Sequence, residues 1–410
     1  MKYNNLNDFI MNTPNAKKCV LNVAKVLNER GFIEFKEEEH WERPDKDVKG
    51  IYVIREGSII AVKLPKQLAR FTGVLTHSDS PCFKIKTNPE ISQNGYVKLN
   101  VEPYGGAIYY SWLDKPLSIC GTVINNYYGI SQNIDTREKY QVFIPSQAIH
   151  INRDVNNACS LNPQKDMLPV FSFGEGFLDT IKNISKCDEI DVYDLSLYNP
   201  DPVKTLDMGK YSIVMGPRLD NLASVYAALR AFENDCEESG SAKVFVAFNS
   251  EEIGSATYDG ADSNFLTSVL ERICNMYNIE KYLAFANSNM LSIDAAHAIH
   301  PNAPEKSDPT NHVKFGEGVV IKHNSNYANN LDLESYIKWI CGSNNIKVQD
   351  FYSRADMRCG STLGNISMSH HGIKTLDIGI PMLGMHSAVE TICYEDMQYL
   401  EELLFSYYQK

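Results

Sequence analysis

The feature that most constrains the fold is an interruption: strand–helix alternation stands on both sides of a long stretch that lacks it. Before the gap, Thr13 as N-cap, Pro14 and the apolar face Cys19, Val20, Val23, Val26 and Leu27 predict a helix that stops at Gly31. Ile51–Ile54 and Ser58–Val62 around Glu56-Gly57 then predict a hairpin, and Gly73–Thr76 a short buried strand running into His77. From about Pro81 to Lys210 the chain shows only short β-like runs separated by Gly, Pro and Asn. Beyond it come a strand at Tyr211–Met215, a helix after Asp220 with Leu222, Val225, Tyr226, Leu229 and Phe232 on one face, and a strand at Lys243–Phe248. Alternation of this kind predicts an α/β fold with a mixed, largely parallel central sheet flanked by helices. With 410 residues, one core would be oversized. The expected organisation is therefore a discontinuous domain, residues 1–83 and 210–410, split by a β-rich insert at 84–209.

In open α/β sheets functional side chains gather at the carboxyl ends of the strands. Ligand-type residues stand at five such ends: His77 with Asp79, Asp220, Glu251-Glu252, Asp294 after Leu291–Ile293, and His386 beyond Thr375–Gly379. Taken singly, each is more often a cap or a solvated surface group. Jointly, imidazoles plus carboxylates suit Zn²⁺, Co²⁺ or Mn²⁺. A paired-metal centre needs a shared carboxylate plus one His and one further carboxylate for each ion. His77, Asp220, Glu252, Asp294 and His386 supply that set. Glu251 is left as a free carboxylate able to take a proton from a metal-activated water and pass it to a leaving amine.

Charge and cysteine usage narrow the function further. With 39 Lys+Arg against 51 Asp+Glu, the net charge of −12 argues against a nucleic-acid backbone binder. No apolar run reaches the roughly 18 residues of a membrane span, and the N-terminus lacks a signal-peptide stretch. A soluble cytoplasmic protein is expected, without membrane association. The ten cysteines are scattered with no Cys-x-x-Cys pair, so reduced thiols are expected rather than a thiolate metal site.

Eight ordered motifs resemble the M18 family of zinc metallopeptidases, the aspartyl aminopeptidase family, over nearly the whole chain. They are Thr76–Pro81, Glu102–Gly106, Ile144–His150, Asn162–Lys165, Arg218–Asn221, Asn249–Ser255, Asp294–Asn302 and Met385–Ser387. The resemblance implies a zinc-exopeptidase-like fold with two zinc ions per subunit. His77 and Asp294 would bind one ion, Glu252 and His386 the other, and Asp220 would bridge. It further implies Glu251 as general base, Asp79 as the carboxylate that orients His77, and His297 and Lys322 as substrate-binding residues. For Lys322, pairing with an acidic N-terminal side chain stands beside a salt bridge within its own domain. The insert would be a dimerisation module, with dimers assembling into a tetrahedral homododecamer that acts on peptides.

The chain departs from the family at Gly105–Pro116, which holds no His where many members carry one that enters a neighbouring subunit's site. The expected activity is aminopeptidase hydrolysis of peptides with a free α-amine, with a preference for acidic N-terminal residues. Alternatives are a broad-specificity M18 aminopeptidase, another dinuclear-zinc amidohydrolase, and a non-catalytic assembly subunit.

Overall fold

The central layer is a nine-stranded sheet whose strands follow the spatial order Phe32–Glu34, Gly50–Arg55, Ser58–Lys63, Ser241–Phe248, Arg70–His77, Asn289–Ile293, Lys374–Gly379, Val319–His323, Val348–Tyr352. In the computed structural model, residues 6–45, 47–125, 129–137, 139–234 and 240–409 are described. Strands Ser241–Phe248, Arg70–His77, Asn289–Ile293 and Lys374–Gly379 run parallel to one another. The Gly50–Lys63 hairpin and the strand Val319–His323 join them antiparallel. The sheet is therefore mixed, with a parallel centre.

The parallel centre has the sequence signature of strands covered on both faces, and Ser241–Phe248 is buried at every residue. Because successive side chains alternate, Val74, Phe245 and Leu291 pack on one face and Leu75, Val244 and Val246 on the other. The first face is covered by helices Ala16–Glu29, Leu219–Glu233, Leu331–Ser343 and Tyr394–Gln409, the second by Phe265–Met276 and Lys281–Ala286. Each Phe or Leu taken out of water here contributes about 1.5–3 kcal/mol.

Two local expectations are corrected. Thr13 does not cap the long N-terminal helix. Its hydroxyl donates to the carbonyl of Phe9 and so finishes a preceding helix, Leu6–Met11, while Asn15 accepts from Lys18 N–H and caps Ala16–Glu29. Nor does the strand expected at Tyr211–Met215 enter the parallel sheet. As Ser212–Gly216 it pairs antiparallel with Lys204–Asp207 and Glu390–Cys393 in a separate five-stranded sheet. The helix that follows is buried on nearly every side, not on one face.

The chain divides into two compact units: Met1–Asp79, Val203–Met385 and Glu390–Lys410 form one, and Ser80–Pro202 with His386–Val389 the other. The second unit is built on a seven-stranded antiparallel sheet. Its core holds Phe83, Leu99, Ile119, Phe177, Leu195 and Leu197. Register slips in its Cys82–Tyr104 hairpin between Ile85 and Glu90, where Pro89 removes a ladder donor and Asn88 takes a φ of 54°. Glu90, just past the slip, accepts the Phe177 N–H and so caps the helix Phe177–Ser185. Among the described residues no cysteine is disulfide-bonded and no helix is long and apolar enough to cross a membrane. Cys236 lies outside them.

Candidate metal centre

Register brings the site together. In the parallel ladder His77 lies opposite Phe248, so the last residue of one strand and the Glu251-Glu252 turn after its neighbour emerge at the same edge. Asp294 follows Asn289–Ile293, the next parallel neighbour, and its N–H donates to the carbonyl of Ile378. That approach requires Gly379: a Cβ there would stand 1.8 Å from the Asp294 carbonyl oxygen. Asp220 arrives from the other sheet, on a turn after Ser212–Gly216 in which Arg218 has φ 55° and the Asp220–Asn221 peptide is cis.

His77, 1% exposed, lies at the middle of the cluster. Its Nε2 is 3.3 Å from Asp220 Oδ1 and 3.3 Å from Asp294 Oδ1. Its Nδ1 is 3.1 Å from the Asp79 carbonyl and 3.5 Å from Asp79 Oδ1. A carbonyl oxygen can only accept, so Nδ1 carries a proton; Nε2 faces two carboxylates, and without a second proton or a cation its lone pair would meet theirs. That arrangement is repulsive unless a proton or a metal ion lies between them. One ligand atom each from His77, Asp220 and Asp294, and one each from His77, Glu251 and Glu252, lie within 4.8 Å of one another.

Asp79, 5% exposed, also grips the turn that carries the two glutamates. Its Oδ1 accepts the Glu251 N–H and its Oδ2 the Glu252 N–H, both at 3.2 Å. Ser250, with φ 66°, bends the chain so that both amides face it. Lys322, 2% exposed, donates to Asp294 Oδ2 at 3.0 Å and stands 5.3 Å from the centre of the Tyr327 ring. The intradomain salt bridge is thus the Lys322 arrangement seen. His297 is exposed, with its ring edge-on to Phe351 at 6.0 Å.

His386 belongs with the second unit, at φ 67° in the segment His386–Val389. Its Nδ1 is 3.2 Å from the carbonyl of Gly106, so Nδ1 carries the proton and any metal would have to be met by Nε2. A Cβ at Gly106 would lie 3.3 Å from that Nδ1. The divergent Gly105–Pro116 segment therefore still holds this imidazole.

The electrostatics call for cations. Burial pushes the Glu251 carboxyl up to about 8, opposed by His77 and reinforced by Asp294, Asp79 and Asp220. Burial likewise raises Glu252 well above the carboxylate range, with Asp220 adding to the shift. Asp294 is held low despite its burial, because Lys322 and His77 flank it. A buried group of acids that raise one another's affinity for protons is a site that positive charge stabilises, and borderline N/O donors suit zinc.

Three buried charged residues do not stand out by ending a strand of the parallel sheet: Lys322, whose partner Asp294 the sequence does not name, and the acids Asp377 and Glu390. Each is a lone charge inside an apolar strand, in Val-Val-Ile-Lys, Thr-Leu-Asp-Ile and Glu-Thr-Ile-Cys. That pattern is the signal that could have found them.

Parallel strands delivering an imidazole and carboxylates to one buried edge are an arrangement that suits a metal-dependent hydrolase. A family model described as "Aminopeptidase I zinc metalloprotease (M18)" matches residues 9–408. "Probable M18 family aminopeptidase 2" of Clostridium novyi (strain NT) is 36% identical over 426 residues, covering 99% of this chain and 98% of that protein. The solved "Cryo-EM structure of the Ape4 and Nbr1 complex" matches with a TM-score of 0.92 at 28% identity, covering 98% of this chain and 84% of that one. The "Structure of S. cerevesiae mApe1 dodecamer" matches with a TM-score of 0.84 at 23% identity, covering 98% and 95%. The chain belongs to the M18 family of zinc metalloproteases and is a metallo-aminopeptidase.

Proposed function

We propose that the enzyme is a dinuclear zinc aminopeptidase in which His77 and Asp294 hold one ion, Glu252 and His386 the other, and Asp220 both. The observation that carries this reading is the His77 ring, with Nδ1 committed to Asp79 and Nε2 aimed at two carboxylate oxygens. Zinc bound there supplies Lewis acidity, which polarises a carbonyl and lowers the pKa of water. The protein's own part is proton transfer and positioning. Glu251 takes a proton from the attacking water and returns it to the amine nitrogen as the peptide C–N bond breaks. Asp79 fixes both the His77 tautomer and the backbone that carries Glu251 and Glu252.

For specificity, the placement of Lys322 favours the broad-specificity reading. A lysine already donating to Asp294 and 2% exposed offers little charge to an acidic N-terminal side chain. His297, by contrast, is exposed. The test is a panel of Leu, Met, Lys, Asp and Glu aminoacyl substrates, with N-acetylated counterparts, on zinc-loaded enzyme. Free-amine Leu and Met substrates should be cleaved fastest and the acetylated set not at all. Fastest cleavage of Asp and Glu would overturn the specificity reading, and cleavage of acetylated substrates would make the enzyme an amidohydrolase.

We also propose a homododecamer, the assembly named for the S. cerevisiae protein that this chain resembles in fold; in it, dimers would be joined through the inserted unit. Sedimentation should give twelve chains of 46.3 kDa. A monodisperse monomer would contradict it.

A further inference from the structure

Glu390 is a buried acid to which the mechanism above gives no task. It opens the strand Glu390–Cys393 and is 1% exposed. A carboxylate in that setting is costly unless donors meet it, so its partner indicates its purpose. Antiparallel register sets Glu390 opposite Gly216, the last residue before the turn that delivers Asp220. From there its Oε2 accepts the backbone N–H of Asp220 at 2.9 Å.

Asp220 has need of such an anchor. It lies in the first turn of Leu219–Glu233 with φ −80° and ψ 105°, outside helical geometry. An N–H in a first turn has no intrahelical carbonyl to meet. The next residue is fixed as well, because Asn221 Nδ2 donates to the carbonyl of Ile293, the residue before Asp294. Asp220 is thereby held from two sides, by Glu390 and by the segment that leads into Asp294.

We infer that Glu390 is a positioning residue: by holding the Asp220 amide it sets the direction of the Asp220 carboxylate, and so the zinc affinity of the centre. The inference rests on the reading of Asp220 as a metal ligand.

The test titrates metal-stripped, full-length enzyme with zinc against a competing chelator, comparing wild type, Glu390→Gln, Glu390→Met and Asp220→Ala. Gln keeps an acceptor oxygen at the same reach, whereas Met keeps the length and volume without one. Glu390→Met should bind zinc ~10–100-fold more weakly, with Glu390→Gln close to wild type. Equal affinities for Met and wild type, or equal losses for Met and Gln, overturn the inference. Should Glu390→Met fail to fold by circular dichroism, Glu390→Asp, whose oxygen is withdrawn by one methylene, must bind more weakly than Gln, and equality overturns it. Unchanged zinc binding by Asp220→Ala would instead defeat the ligand assignment itself. Loss by Asp220→Ala alone would defeat only the role of Glu390.

Discussion

One carboxylate, that of Asp79, touches both halves of the chemistry: it lies against the His77 imidazole and holds the amides of Glu251 and Glu252. Asp79→Ala keeps the backbone carbonyl on Nδ1 but removes the carboxylate beside the ring, and should weaken zinc binding by ~10–100-fold through the loosened imidazole. It should also lower kcat when zinc is restored by excess, because the turn carrying the base is released. A zinc-saturated Asp79→Ala enzyme with wild-type kcat would limit Asp79 to the imidazole alone. Glu251→Gln separates base from ligand: the variant should keep its zinc by elemental analysis yet lose ~10²–10⁴ in kcat. Near-normal turnover with metal bound would remove Glu251 from the mechanism. At this scale the sequence was legible wherever a ligand-type residue ended a strand, as at His77 and Asp294. For Lys322 it left two readings open and on Glu390 it was silent, because only tertiary packing pairs them with Asp294 and the Asp220 amide.

Among the elements, what the sequence reveals follows from periodicity. Gly73–Thr76 and Lys243–Phe248 are apolar runs of strand length, and they become the parallel centre of the sheet. Ser212–Gly216 carries a similar run, and nothing in its own residues distinguishes a central parallel strand from one paired with Glu390–Cys393 in a smaller sheet. The first helix shows the same limit. Thr13 and Asn15 are both good caps, and only the hydrogen bond from Thr13 to Phe9 decides between them. One buried element end makes a stability prediction. His371 ends the helix Leu363–His371, its Nδ1 2.8 Å from Thr267 Oγ1. Burial, with the nearby His370 adding, pushes its pKa down to about 4. The unfolded chain then binds a proton below about pH 6.5 that the folded chain refuses until about pH 4, so stability falls as pH drops through that window. Asp396 acts in the opposite sense. Burial raises its pKa to about 6 against the N–H groups of Gly316 and Gly318, so its contribution is lost as pH rises through that value. Thermal melts of metal-free enzyme at pH 7 and pH 5 should show a smaller acid-induced drop in Tm for His371→Gln than for wild type. An equal drop would show that His371 does not contribute.

For the whole molecule, the interruption in the α/β pattern raises the expectation of a β-rich insert at 84–209, and one compact unit of the chain is Ser80–Pro202 with His386–Val389, built on an antiparallel sheet. What the pattern could not foretell is that His386–Val389, far along the chain, groups with that unit, because the association is made by the carbonyl of Gly106 and the Ser111 hydroxyl rather than by any periodic signal. The acid surplus acquires a local meaning as well. Asp79, Asp220, Glu251, Glu252 and Asp294 are gathered where cations would offset them, although the net charge of −12 by itself excludes only a basic binding surface. In the proposed function these side chains, with His77 and His386, would hold two zinc ions on which peptide hydrolysis depends. Metal-stripped enzyme titrated with zinc while cleavage of a free-amine leucyl substrate is followed tests it most directly. Activity should rise from baseline and level off at two zinc ions bound per chain; full activity in the metal-free enzyme, or a plateau at one zinc ion per chain, would rule out a dinuclear centre.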